Sequence, residues 1–158
     1  MRAALLVVAL TGSASASTFA VGPDFSDKKF LLVGVDAGLA VDDDGSRWLV
    51  GGEASVGKLN ETKDGVPIWY GAYLDLLVDG RHDHARASLG AEVGYSVLAL
   101  DLGPVLQLGG DGVLAIRARG ALSLGVVSLY VGPVIPVTGE GLGTWVEVGV
   151  LLKFPYVR

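Results

Sequence analysis

The stretch that decides the fold is Ala85 to Val97, ARASLGAEVGYSV. Its odd positions are Ala85, Ala87, Leu89, Ala91, Val93, Tyr95 and Val97, and its even positions are Arg86, Ser88, Gly90, Glu92, Gly94 and Ser96. A period of two held over this length means an extended strand with one apolar and one polar face. The class of protein then turns on which face points inward. A soluble sandwich or lipocalin-like barrel buries its apolar face and meets water with Lys, Glu, Thr and Asn. Here the polar face is dominated by glycine and serine with a few charges, a composition suited to the crowded lumen of a narrow closed barrel. The apolar face then looks outward, toward lipid.

The same alternation recurs along the chain. Phe30 to Val41 sets Leu31, Val33, Val35, Ala37, Leu39 and Val41 against Leu32, Gly34, Asp36, Gly38 and Ala40, and Asp42 to Gly45 is a turn. Arg47 to Lys58 follows, then a polar loop from Leu59 to Val66, then a strand from Ile68 to Asp79. Gly80-Arg81-His82-Asp83 turns into the strand that begins at Ala85. A tight turn at Ser96-Val97 is required, because the alternation otherwise runs on to Leu108 as one impossibly long strand. Gly109 to Gly112 is a hairpin signal, Gly125 marks another tight turn, and Thr138 to Gly143 is the last loop before a strand ending at Phe154. The expected fold is all-β: an eight-stranded, antiparallel, up-and-down transmembrane β-barrel joined as a meander.

Composition agrees with that reading. The 158 residues leave room for one domain, 51% of them are hydrophobic, and mean hydropathy is +0.51. No segment reaches the roughly 18 unbroken apolar residues of a membrane helix, so the apolar residues arrive in alternation. The net charge of −5 and the absence of any basic stripe give nucleic-acid binding no electrostatic footprint. With no cysteine there is neither a disulfide framework nor a thiolate metal site.

Residues 1–16 carry Arg2, an apolar run from Ala3 to Leu10, and small residues at Ala14 and Ala16. This is the pattern of a secretory signal peptide, which places the barrel domain at 17–158, with Ser17 to Asp27 as a short periplasmic lead-in.

With the leader, eight amphipathic strands and a C-terminal run ending at Phe154, the chain resembles the small eight-stranded outer-membrane barrels of Gram-negative bacteria, such as the OmpA transmembrane domain and OmpX. The resemblance implies an outer-membrane location, outer-membrane lipid as the surrounding partner, and recognition of the last strand's terminal aromatic by the barrel-assembly machinery. Phe154 is the candidate for that signal. Because Pro155, Tyr156, Val157 and Arg158 follow it, Tyr156 is a second candidate.

Chemical motifs are few. His82-Asp83-His84 could hold Zn²⁺ or Cu²⁺ at a loop tip, but neighbouring residues of an extended chain point apart and no further His or Cys exists to complete the site. Asp42 to Ser46 with Glu53 has some spacing of a calcium loop, yet Gly45 is misplaced for its sharp turn and Glu53 lies in a strand. No Ser, His and acid group together on the strands, and no glycine-rich phosphate loop opens a helix. The expectation is a protein that is not an enzyme, with no metal and no cofactor.

The informative polar residues are Asp36, Glu53, Asp75, Arg86, Glu92, Asp101, Arg117, Arg119, Glu147 and Lys153, which all share the glycine-rich face. Arg or Lys facing lipid near the midplane costs roughly 2–4 kcal/mol, so these belong in the lumen, paired as a polar plug. Counting outward from the turns sets Asp101 opposite Arg119, Glu92 beside Asp101, and Asp75 against Arg86. Three functions fit: a structural or surface-interaction barrel with a plugged lumen, a narrow pore or small-ligand carrier, and a soluble periplasmic lipocalin-like barrel binding an apolar ligand. The sequence identifies no extracellular or periplasmic partner.

Overall fold

The computed structural model describes residues 29–80, 84–108, 112–139 and 143–156. The leader, the lead-in, His82-Asp83 and most of the Gly109 to Gly112 turn lie outside the described residues, as does the side chain of Tyr156. Eight antiparallel strands run in chain order: β1 (Lys29–Asp42), β2 (Gly45–Glu61), β3 (Pro67–Asp79), β4 (His84–Tyr95), β5 (Leu98–Leu108), β6 (Val113–Leu124), β7 (Val127–Pro136) and β8 (Trp145–Tyr156). Each pairs with its neighbours, and β1 pairs with β8 from Leu31↔Tyr156 to Val41↔Val146, which closes the barrel. The first-turn end carries the connections at 43–44, 80–83, 109–112 and 137–144. The terminal end carries the start of β1, the connections at 62–66, 96–97 and 125–126, and the end of β8.

Local chemistry sets the turns. Asp42 faces Gly45 across a two-residue connection, and the Asp44 amide donates to Asp42 Oδ1 at 3.0 Å. Ser96 and Gly125 open the other two-residue turns at φ of 57° and 69°, the left-handed region that a tight hairpin requires. Two boundaries differ from the sequence expectation. β2 continues to Glu61, because Leu59 and Asn60 pair with Trp69 and Ile68, so the Leu59 to Val66 loop shrinks to 62–66. There the Thr62 hydroxyl accepts the Val66 amide at 2.9 Å and closes the turn. β8 likewise runs past Phe154, because Pro155 and Tyr156 still find partners on β1.

The third difference is register. The connection after β3 does not centre on Gly80-Arg81: Asp79 pairs with His84, so Asp75 faces Ser88 and Arg86 faces Leu77. Gly80 opens this connection and is also held to β2. Its amide donates to Trp48 O at 3.0 Å, and its missing side chain is the space the Trp48 ring occupies.

Inside, large residues sit over glycines. Tyr73 rests on Gly90 and Gly103, and Tyr130 on Gly38 and Gly149, where an added Cβ would lie 2.6–2.9 Å from the tyrosine's ring or hydroxyl. An apolar layer of Ala40, Leu49, Leu77, Val105, Ala115, Val134 and Trp145 fills the lumen near the first-turn end. Gly90→Val should therefore destabilise the barrel by roughly 1–3 kcal/mol through overpacking. Gly120→Val should be neutral or slightly stabilising, since Gly120 faces outward with no atom within 3.4 Å of an added Cβ and valine favours strands. Urea midpoints of the two variants against the parent protein check the pair.

Candidate functional site: the charged lumen

Period two puts the charged residues on one face of each strand, and closure turns that face inward. Asp36, Glu53, Asp75, Arg86, Glu92, Asp101, Arg117, Arg119 and Glu147 are all buried, and Lys153 is nearly so. They form two groups at different heights.

Nearer the first-turn end, Arg86 is paired with Glu147, and Arg117 with Asp75, while Arg117 Nη1 also lies 3.5 Å from Glu147 Oε2. The Trp145 indole donates to Glu147 Oε1 at 2.9 Å, and its ring centre lies 5.2 and 5.4 Å from the guanidiniums of Arg47 and Arg86. Arg47 is itself paired with Asp42 and Asp79 at the rim.

Nearer the terminal end, Arg119 is the hub. Its Nη2 lies 2.5 Å from Glu53 and 2.6 Å from Asp101, and its Nη1 lies 3.5 Å from Asp36. Lys153 Nζ reaches Glu53 at 2.6 Å and Glu92 at 3.0 Å, and donates to Ser55 Oγ at 2.8 Å. Tyr130 donates its hydroxyl to Asp36 at 2.8 Å while its ring faces Arg119 at 5.0 Å. Tyr73 joins the two groups, its ring 5.4 Å from Arg117 and 5.3 Å from Arg119.

Asp101 lies opposite Arg119 and beside Glu92, as hairpin counting sets them. The expected pair of Asp75 with Arg86 does not form. The register shift at Gly80 separates them on the ladder, and each finds a partner across the lumen, Asp75 on β6 and Arg86 on β8. Sequence reasoning also left the aromatic contribution unassigned. Tyr73, Tyr130 and Trp145 share the lumen parity, and that parity is the signal that marks them.

The carboxylates of Asp36, Glu53 and Asp75 bring one oxygen each to within 4.8 Å of the others, a spacing that suits a cation. The protein's own cations already engage them: Arg119 and Lys153 on Glu53, Arg117 on Asp75, and Arg119 on Asp36. Glu53 is thus committed inside the lumen and Asp42 to Arg47, so the two do not close a calcium loop. His84 Nδ1 lies 3.0 Å from Gln107 Nε2.

This geometry defines a class: a closed eight-stranded antiparallel barrel whose interior is occupied by ion pairs and aromatic rings. Comparison with protein families, with curated proteins and with solved structures returns no match.

Removing Arg119 strands Asp101 and weakens the hold on Glu53 and Asp36 inside a water-poor interior. Arg119→Leu should therefore cost about 3–5 kcal/mol. Asp101→Asn should cost much less, since Arg119 keeps Glu53 and the amide oxygen still accepts from it. Urea unfolding of both variants compares them, and equal midpoints would contradict the pairing.

Proposed function

We propose that this chain is an outer-membrane β-barrel protein of the Gram-negative envelope with a structural or surface-interaction role, its lumen plugged rather than conducting. The observation that carries the reading is the outer face. On the strands the exposed positions of outward parity are Val, Leu, Ile, Ala, Pro and aromatic residues, apart from Ser46 and two lysines at the rims. Among the described residues, the charged side chains with outward parity, Lys29 and Lys58, sit opposite one another at the terminal end. Soluble monomers rarely expose contiguous apolar patches beyond a few hundred Å². An unbroken outward strand such as Leu98 to Leu108 spans roughly 25–30 Å at the tilt of a small barrel, the height of a bilayer's apolar band.

The rims fit the same reading. Tyr70, Tyr95 and Phe154 are exposed on the outer face toward the terminal end and Trp48 toward the other, where membrane barrels carry aromatic girdles. Lys29 and Lys58 are placed to reach toward headgroups. The plugged interior favours a structural role over a pore, because ion pairs and the Leu49, Leu77, Val105 and Val134 layer fill the path.

The test is a charge on the outer wall. Leu89→Arg, in the middle of β4, should destabilise the protein by about 2–4 kcal/mol in a bilayer. A barrel that keeps this face in water would be indifferent to it. Spin labels on Leu89→Cys and Leu122→Cys should report a lipid environment, the native protein should fractionate with outer membranes, and planar bilayers should show no steady conductance. Recovery as a detergent-free soluble protein would overturn the reading.

A further inference from the structure

Two of the eight seams between neighbouring strands are interrupted. The β4–β5 ladder skips from Ser88↔Val105 to Ala91↔Leu102, and the β6–β7 ladder from Arg117↔Val134 to Gly120↔Val131. The other six run without a break. Each gap falls on a Gly-Pro pair, Gly103-Pro104 on β5 and Gly132-Pro133 on β7. Proline has no N–H to give to a ladder, and sheets otherwise keep it to edges and bulges. The Leu89 carbonyl lies against Gly103 and the Ala118 carbonyl against Gly132, so both face a strand that offers no donor at the next residue. On their other sides the prolines stay in register, Pro104 with Ile116 of β6 and Pro133 with Val146 of β8. The gaps therefore flank one unit, the β5–β6 hairpin, whose own ladder is continuous from Leu98↔Leu122 to Gln107↔Val113.

We infer that the β5–β6 hairpin is the part of the wall that opens first, as a unit, and that Arg117 and Arg119 latch it shut from inside. Asp101 pairs with Arg119 within the hairpin and holds β5 to β6. Among the described residues, the ion pairs that leave the hairpin all start from the two arginines. Arg117 reaches Asp75 on β3 and Glu147 on β8, while Arg119 reaches Glu53 on β2 and Asp36 on β1. They land on neither β4 nor β7, the strands across the interrupted seams, and Arg119 meets β7 through the Tyr130 ring. Near its two ends the hairpin is tied to its neighbours by Gln107 with His84 and by Ser123 with Ser128. Moving it outward separates two buried guanidiniums from four carboxylates, which is strongly unfavourable. The ion pairs thus supply, at the height of the gaps, the resistance that the missing ladder bonds do not. This holds whether the wall faces lipid or water.

Amide hydrogen exchange of the folded full chain, followed residue by residue by NMR, reads the opening directly. Amides that bond across β4–β5 and β6–β7 should exchange about tenfold faster than those across β1–β2 and β2–β3, the weight of one ladder hydrogen bond. Amides that bond β5 to β6 should stay protected. Pro104→Ala combined with Pro133→Ala returns a donor to each seam and should slow the seam amides about tenfold while leaving β1–β2 unchanged. Asp75→Asn, which loosens the Arg117 latch, should speed the seam amides selectively. Should Asp75→Asn lower the folded yield, the double proline variant decides by itself. Exchange that is uniform over the eight seams, fastest at another seam, or unmoved by the restored donors overturns the inference. So does an Asp75→Asn effect spread evenly over the barrel, or protection lost inside the hairpin together with its seams, which would mean that the strands fray one by one.

Discussion

Once β1 and β8 pair along Leu31 to Val41, no strand edge remains and every side chain is assigned to the wall's inside or outside. Eight strands enclose an interior that side chains alone can fill, and the rest of the structure follows from that narrowness. Aromatic rings enter where the facing residue is glycine, Tyr73 over Gly90, Tyr130 over Gly149 and Trp69 over Gly94, while Trp145 faces Val134 and is held by Glu147 and two arginines. Glycine is costly in a strand, and here its cost is offset by the ring that occupies the vacant volume.

The same narrowness selects the ion pairs. A long side chain rooted on one strand reaches the opposite wall, so partners are matched by height in the barrel rather than by hairpin adjacency. Arg117 on β6 meets Asp75 on β3, and Arg119 meets Glu53 on β2. Buried pairs add little net stability over apolar packing, but a pair broken by losing one partner is strongly unfavourable. Such a network penalises any register that leaves a charge alone. In strands with small residues on both faces, where Gly52 and Ala54 alternate with Gly51 and Ser55, it supplies a discrimination that hydrophobicity does not.

Inside and outside are thereby decoupled. Between its rims the outer wall is apolar, while the interior pairs charge with charge and ring with glycine. With the lumen filled and the strand faces apolar, the polar surface of the barrel lies at its turns and rims. The interior maintains the shape on which those turns are displayed.

The sequence by itself determined the number of strands, their facing and the set of lumen charges, because period two is a local property that each stretch carries without reference to its neighbours. It also determined the Asp101, Arg119 and Glu92 neighbourhood, where the turn at Ser96 is tight and the register across Gly109 to Gly112 follows from the hairpin count. What only the tertiary structure decided were matters of distance across the barrel. Gly80 turns as read, yet Asp79 pairs with His84 and the hairpin centres one position further on, with Trp48 of the neighbouring strand in the glycine's empty space. That displaced Asp75 from Arg86 and sent each to a strand on the far wall. Partners across a lumen are fixed by closure and stagger, which belong to the ring of eight strands as a whole, and no single stretch of sequence encodes them.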